Sequence, residues 1–205
     1  FNSRDDVPRK YLDGNSNAEK TAYIVVTSSK GLCGGFNTNV IKRAHEAINS
    51  ERVEPVIVAI GGKGQEYFQK RGYKIHSSYL RSPEGITFLE AQEITKPLVD
   101  MYDRGEIDKI VMVYTEFVNS MEQSVTTQTL LPFTISEDVQ ETAAIKKTEY
   151  EPSVDVVFNY LIPKYVEMEM YSSVIESATC EHAARRMAME NATDNAREML
   201  DKLNL

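Results

Sequence analysis

The last 42 residues of the chain, Lys164 to Leu205, contain neither glycine nor proline. Ala, Glu, Met, Arg and Leu dominate the stretch, and these residues lose little freedom in a helix. At a rise of about 1.5 Å per residue, one helix of this length runs about 60 Å. A compact body of 205 residues has a radius of gyration of about 17 Å and is about 45 Å across. A straight helix of this kind outruns its own fold. It projects, and a projecting helix needs a partner. The helical pattern begins at Val154, and a bend is expected at Pro163.

Upstream, short apolar β-branched runs alternate with helical patterns. Ala22–Ser28, Pro55–Ile60 and Lys109–Phe117 read as buried strands, Tyr73–Leu80 as a shorter one, and Ser124–Phe133 as a β-rich run after a turn. Between them, helices are expected after a cap at Asn37 or Thr38 to about Asn49, from Gln65 to Arg71 with Gly72 as the stop, and from Thr87 to Asp103. Pro97 inside the last of these is a candidate bend. The order predicts an α/β, Rossmann-like layered domain with a mostly parallel sheet and one antiparallel edge strand.

Three regions follow: a polar leader over 1–20, an α/β foot over 21–152 and a long helix over 153–205. Residues 136–152 are polar and acidic and read as a surface loop. The polar opening and the uncapped helical end carry the expectation of a piece of a longer protein.

A net charge of −8 argues against nucleic acid as the main ligand, because phosphate contacts need clustered Lys and Arg. Cys33 and Cys180 are far apart and form no disulfide framework, so a reducing compartment is expected. There is no run of about 18 apolar residues, so no membrane insertion is expected. The three histidines share no ligand spacing with each other or with cysteine, so no metal site is expected.

The loop Thr27–Asn37 (TSSKGLCGGFN) joins a strand to a helix, a place where phosphates often bind. Its glycines are spaced G-x-x-G-G, which is neither a dinucleotide fingerprint nor a Walker motif. Gly61-Gly62-Lys63-Gly64 follows the second strand in the same way. A tight structural turn is the simpler reading of both. An α/β enzyme holding a phosphorylated small molecule at Gly31–Gly35 is the alternative. Cys33 lies near a helix start, but no sequence feature brings a histidine to it for nucleophilic chemistry.

Stepping alternately by three and four along the long helix gives Leu161, Tyr165, Met168, Ser172, Ile175, Thr179, His182, Arg186, Met189, Thr193, Ala196, Leu200 and Leu203. The stripe is apolar at both ends and polar in the middle, unlike a uniform coiled-coil seam. Alanines flank it and would let a neighbouring helix approach closely. Such a pattern suits a helix gripped by several different surfaces.

Two segments carry a resemblance: Thr27–Asn37, and Glu181–Ala196 (EHAARRMAMENATDNA). With Leu130-Leu131-Pro132 and Tyr150-Glu151-Pro152 in matching order, the chain resembles the gamma subunit of F-type ATP synthase, the central rotor stalk. Ser29, Arg186 and Glu190 depart from the residues common there.

The resemblance implies a Rossmann-like foot and two long helices wound as an antiparallel coiled coil, of which this chain supplies one. It implies a non-catalytic subunit without a cofactor, carrying torque between a proton-driven c-ring and a hexamer of alpha and beta subunits during ATP synthesis. Lys30, Gly31, Leu32, Cys33, Gly34 and Gly35 would lie near the lever segments of the catalytic subunits. Lys146, Glu149, Tyr150 and Glu151 would approach the epsilon subunit and the c-ring. Arg185, Arg186, Met189, Asn191, Asp194 and Asn195 would lie on the shaft. The implied location is peripheral, on the cytoplasmic face of a bacterial membrane or the matrix side of the mitochondrial inner membrane.

Overall fold

The computed structural model describes residues 7–14, 18–51, 53–119, 123–133 and 151–203. Its centre is a five-stranded sheet of β1 (Lys20–Val26), β2 (Glu54–Ile60), β3 (Ile75–Tyr79), β4 (Lys109–Phe117) and β5 (Gln123–Leu131). The spatial order is β3-β2-β1-β4-β5. β1 pairs in parallel with β2 and β4, β2 pairs in parallel with β3, and β5 closes the edge antiparallel to β4. The expected mixed sheet is borne out.

Strand β1 is buried from Thr21 to Val26 because helices cover both faces, which explains its uninterrupted apolar run. Alternate residues feed two separate cores. Tyr23, Val25, Ile57, Val111 and Val113 meet Val40, Ala44 and Ile48 of α2 (Phe36–Ser50) and Phe68 of α3 (Gly62–Lys70). On the opposite face, Ala22, Ile24, Val26, Val58, Ile60, Ile110 and Met112 meet α4 (Phe88–Asp103) and α5 (Val154–Leu203).

Local chemistry sets the helix starts. Thr87 caps α4 through a capping box: its Oγ1 accepts from Glu90 N at 3.2 Å, and Glu90 Oε2 accepts from Thr87 N at 2.9 Å. The second helix begins at Phe36, with Gly35 at the cap position in place of the expected Asn37 or Thr38. Asn37 is engaged elsewhere, as described below. The third begins at Gly62, three residues before the expected start. At Gly61 (φ +86°) a Cβ would lie 1.9 Å from the Thr27 carbonyl oxygen, so only glycine fits between β2 and α3.

The stretch read as a polar leader reaches the core. A short helix α1 (Lys10–Asp13) buries Tyr11, and Val7 is buried beside it. Tyr11 stacks on Tyr102 with centroids 6.3 Å apart and donates its hydroxyl to Asn159 Oδ1 at 3.1 Å. Val7 and Tyr11 stand too sparsely in a polar run to show a period. Their burial is visible only in three dimensions.

Helix α5 is 50 residues long and continues through Pro163, giving a rod of about 75 Å. Phe158, Ile162, Val166, Met170 and Val174 belong to the same core as the sheet and α4, so the packed core runs past the expected foot boundary at 152. The stripe read from the sequence lies on other faces. Leu161, Tyr165, Met168 and Ile175 are exposed. The buried row instead steps by four, the ridge that a helix offers when it crosses a neighbour obliquely. Beyond Glu181 no side chain of the helix is buried. The terminal 22 residues, His182 to Leu203, project for roughly 33 Å.

Candidate functional site

In a sheet of this order, ligands bind outside the carboxyl ends of the strands, where the order changes direction. Here that point lies between β1 and β4. The Thr27–Gly35 loop follows β1, and Thr115 lies near the end of β4. The same crevice is where α5 leaves the sheet.

Protein groups already occupy the amide at the start of the loop. Ser28 N donates to Asn37 Oδ1 at 2.8 Å, and Asn37 Nδ2 donates back to Ser28 Oγ at 2.7 Å. The amides at the start of α3 are taken in the same way. Gly62 N donates to Ser29 Oγ at 3.1 Å, Lys63 N to the Ser28 carbonyl at 3.1 Å, and Gly64 N to Thr27 Oγ1 at 2.9 Å. Amides that could have cradled a phosphate instead tie the two glycine loops together.

The helix fills what remains of the crevice. Cys33 and Phe36 pack against Cys180, with Ala184 alongside. Two side chains of α5 finish the end of β4: Ser177 Oγ accepts from Thr115 N at 3.4 Å, and Glu176 Oε1 accepts from Phe117 N at 3.0 Å. The two distant segments singled out in the sequence are therefore neighbours.

Glu181 is buried where the helix emerges and pairs through Oε1 with Arg185 one turn on. That hydrogen bond to Glu181 raises the pKa of the Arg185 guanidinium. His182 pairs with Glu84 of the 3-10 turn Pro83–Gly85, which packs on the same stretch of helix. A shallow open groove lies between the loop and the helix, lined by Cys33, Gly35, Thr115, Met187 and Asn191 among others.

The expected site residues separate into three groups. Lys30, Gly31, Gly34 and Gly35 are exposed around a buried Cys33. Leu32 between them is 78% exposed with φ +62°. A leucine in the left-handed region is strained, and this one points its side chain into solvent.

Arg186, Met189, Asn191, Asp194 and Asn195 are exposed on the projecting rod, while Arg185 is half-buried at its base. The rod carries its own ion pairs, Arg186–Glu190 at 2.8 Å, Arg197–Asp194 at 3.2 Å and Lys202–Glu198 at 2.6 Å. Pairs at this spacing support a helix lacking tertiary contacts. Lys146, Glu149 and Tyr150 lie outside the described residues. Glu151 is exposed just before α5.

Sequence reasoning missed Asn37, Ser28, Glu84 and the burial of Glu181. Asn37 was readable as a polar residue within the first turn of α2, where a side chain can bond back to the preceding loop. Among the described residues no group of three or more His, Cys, Asp and Glu side chains is placed to hold a metal ion. Among them, too, no helix is long and apolar enough to cross a membrane.

The architecture is that of a stalk-bearing α/β subunit, and comparison with known proteins agrees. The ATP synthase family model matches residues 2–205. The ATP synthase gamma chain of Pelotomaculum thermopropionicum is 41% identical over 189 residues, covering 91% of this chain and 66% of its own. That of Ruminiclostridium cellulolyticum is 37% identical over 207 residues, covering 98% and 70%. Among solved structures, the central stalk and c-ring of the Tetrahymena thermophila mitochondrial ATP synthase superposes with a TM-score of 0.69. It is 24% identical and covers 87% of this chain and 78% of that one. This chain belongs to the ATP synthase gamma family. It spans about two thirds of the length of the curated relatives it matches.

Proposed function

We propose that this chain is the foot and part of the shaft of a rotary central stalk. The rotor transmits torque between a proton-driven ring of membrane subunits and a catalytic hexamer during ATP synthesis. It carries no catalytic residue and no cofactor of its own. One observation carries the reading. A single unbroken helix is anchored for half its length in a two-sided α/β core and free for the rest, a rigid lever fixed at one end.

Stiffness comes from the anchor. Burying Phe158, Ile162, Val166, Met170 and Val174 contributes about 1.5–3 kcal/mol each, and torque on the free half is resisted by that packing. The free half presents a different surface at each angle: charge pairs on one side, Met187 and Met189 on others. Rotating an asymmetric surface inside a ring of identical subunits favours a different conformation in each, shifting the population of every nucleotide site in turn.

In this reading the loop Lys30–Gly35, with Leu32 at its tip, faces the lever segments of the alpha and beta subunits. Lys146, Glu149, Tyr150 and Glu151 face the epsilon subunit and the c-ring. Arg185, Arg186, Met189, Asn191, Asp194 and Asn195 are surface positions of the shaft. The exposed row Leu161, Tyr165, Met168 and Ile175 takes the second helix of an antiparallel coiled coil. The assembled subunit is peripheral to the membrane, on the cytoplasmic side in a bacterium.

The rival, a small-molecule enzyme using the Gly31–Gly35 loop, has no supporting observation. Cys180 and Ala184 pack against Cys33 at its crevice, and the neighbouring amides of Ser28, Gly62 and Gly64 are spent on Asn37, Ser29 and Thr27. The deciding experiment is reconstitution of the subunit with the catalytic and ring subunits, followed by single-molecule rotation and proton-coupled ATP synthesis. Rotation that depends on the subunit supports the proposal. Stoichiometric binding of a phosphorylated metabolite, without assembly, overturns it.

A further inference from the structure

Cys33 and Cys180 come from opposite ends of the chain, yet with Phe36 they form one small buried cluster. They are 2% and 0% exposed, and both are free thiols. Their surroundings differ. Asn37 Nδ2 donates to Cys33 Sγ at 3.2 Å. The carbonyl of Cys33 accepts from the first amide of α2 at 3.2 Å, placing the residue at the positive end of a 15-residue helix. The donor at the sulfur and the helix start at the carbonyl fix the Cys33 side chain in place beside Cys180. Cys33 also lines the open groove beside α5, which gives a small reagent a way in.

Cys180 is the opposite case. It faces inward from the middle of α5, and burial, followed by the nearby Glu176 carboxylate, pushes its thiol up to about 11. It stays protonated and shielded until a sulfur beside it becomes electrophilic. Only one sulfur of such a pair must reach solvent, because the second step is internal.

We propose that Cys33 and Cys180 are a reversible redox pair whose disulfide straps the β1–α2 loop to α5 where the helix leaves the foot. The oxidant is a low-molecular-weight disulfide, RSSR. The Cys33 thiolate attacks one of its sulfurs, the S–S bond of RSSR breaks, and RS⁻ leaves, giving Cys33–S–S–R. Cys180 sulfur then attacks Cys33 sulfur. The second RS⁻ leaves with the Cys180 proton as RSH, and the protein disulfide remains. Two protein thiols are oxidised, one RSSR is reduced, and excess thiol reverses both steps.

Closing the strap fixes the loop that carries Leu32 to the base of the projecting rod. Contacts that otherwise hold by packing alone become covalent.

The test uses the full-length subunit equilibrated in graded ratios of reduced to oxidised glutathione, trapped with iodoacetamide and mapped without reduction. The expected product is one intramolecular peptide pair joining Cys33 to Cys180, lighter by two hydrogens than the free thiols and abolished by dithiothreitol. Cys180→Ser is expected to stall at the first step and accumulate glutathione on Cys33, whereas Cys33→Ser takes up none. Cys180→Ala provides the same arrest if serine is not tolerated in the core. Wild-type protein that keeps both thiols at oxidising ratios overturns the proposal. So does wild-type protein that accumulates the Cys33 adduct without closing it, or that links only between two copies.

Discussion

Asn37 and Ser28 grip each other twice: the asparagine side chain accepts the Ser28 backbone N–H at 2.8 Å and donates to the Ser28 hydroxyl at 2.7 Å. This exchange holds the start of the loop against the first turn of α2 and leaves the Cys33–Gly35 segment aimed at the long helix. Ser28 is buried, so removing its partner leaves an amide with neither protein nor water. Asn37→Ala is therefore expected to destabilise the subunit by about 1–3 kcal/mol and to open the loop to proteolysis. Urea titration and limited digestion check it, and an unchanged midpoint would show that the lock is dispensable.

Gly61 and Gly72 both have positive φ, +86° and +81°, but their surroundings separate two costs. A Cβ at Gly72 meets nothing within 4 Å, whereas one at Gly61 meets the Thr27 carbonyl at 1.9 Å. Gly72→Ala should cost only the left-handed strain, about 1 kcal/mol. Gly61→Ala must also push β1 away from the α3 start and should cost several times more, in the range of about 4 kcal/mol or above. Equal losses in a pair of thermal melts would mean that backbone strain alone governs both sites.

At the opposite, amino-terminal end of the central strands, Glu51 accepts from Lys109 at 2.7 Å, from Thr21 at 3.1 Å and from Tyr23 at 3.2 Å. Burial pushes its pKa up, but the Lys109 ammonium and the two hydroxyl donors outweigh this and hold it below the ordinary 4.5. A depressed carboxylate stabilises the fold fully above its unfolded value, and the contribution is lost as pH falls through the folded one. Lys109 is raised above 10.5, chiefly by its bond to Glu51, so its share is present below that value and lost at higher pH. The pair thus predicts acid sensitivity beginning below about pH 4.5. Glu51→Gln should be less stable at neutral pH and lose less on acidification. Parallel acid limbs for the two proteins in circular dichroism would refute the assignment.

The sheet was legible because its strands are buried on both faces. The expected Lys109–Phe117 is the observed β4, and the parallel order follows from strands that alternate with helices. The existence of the long helix was equally plain, since nothing in Lys164–Leu205 interrupts it. Its orientation was not. A spacing alternating three and four assumes a partner running nearly parallel, whereas α5 crosses its own sheet and α4. Met170 is therefore inside and Met168 outside.

Long-range relationships left no local trace either. Nothing near Tyr11 announces Tyr102, and nothing near Cys33 announces Cys180. Such contacts depend on how the layers stack, which a periodic pattern does not encode. The loop and the helical segment were each visible as motifs, but their meeting in one crevice was not.

The two halves of α5 should behave as different materials. From Phe158 to Glu181 the helix shares the core, and opening its amides requires tearing α4 and the sheet from its buried row. Beyond the His182–Glu84 pair and the Ala184 contact, local ion pairs and helix propensity hold it, and isolated helices of this length are marginal in water. In this 205-residue chain, hydrogen exchange is expected to be slow up to Glu181, to rise over the next turns, where Ala184 and Arg185 still touch the foot, and to be fast beyond Thr193. Met170→Ala should cost about 2–5 kcal/mol, while Met189→Ala, on the exposed rod, should leave the stability of this chain within about 0.5 kcal/mol of wild type. The same Met189→Ala placed in a reconstituted motor should act through partner contact, altering rotation without altering the melt. Uniform protection along all of α5 in dilute solution would mean that the rod is covered by something within its own chain, and the lever reading would fail with it.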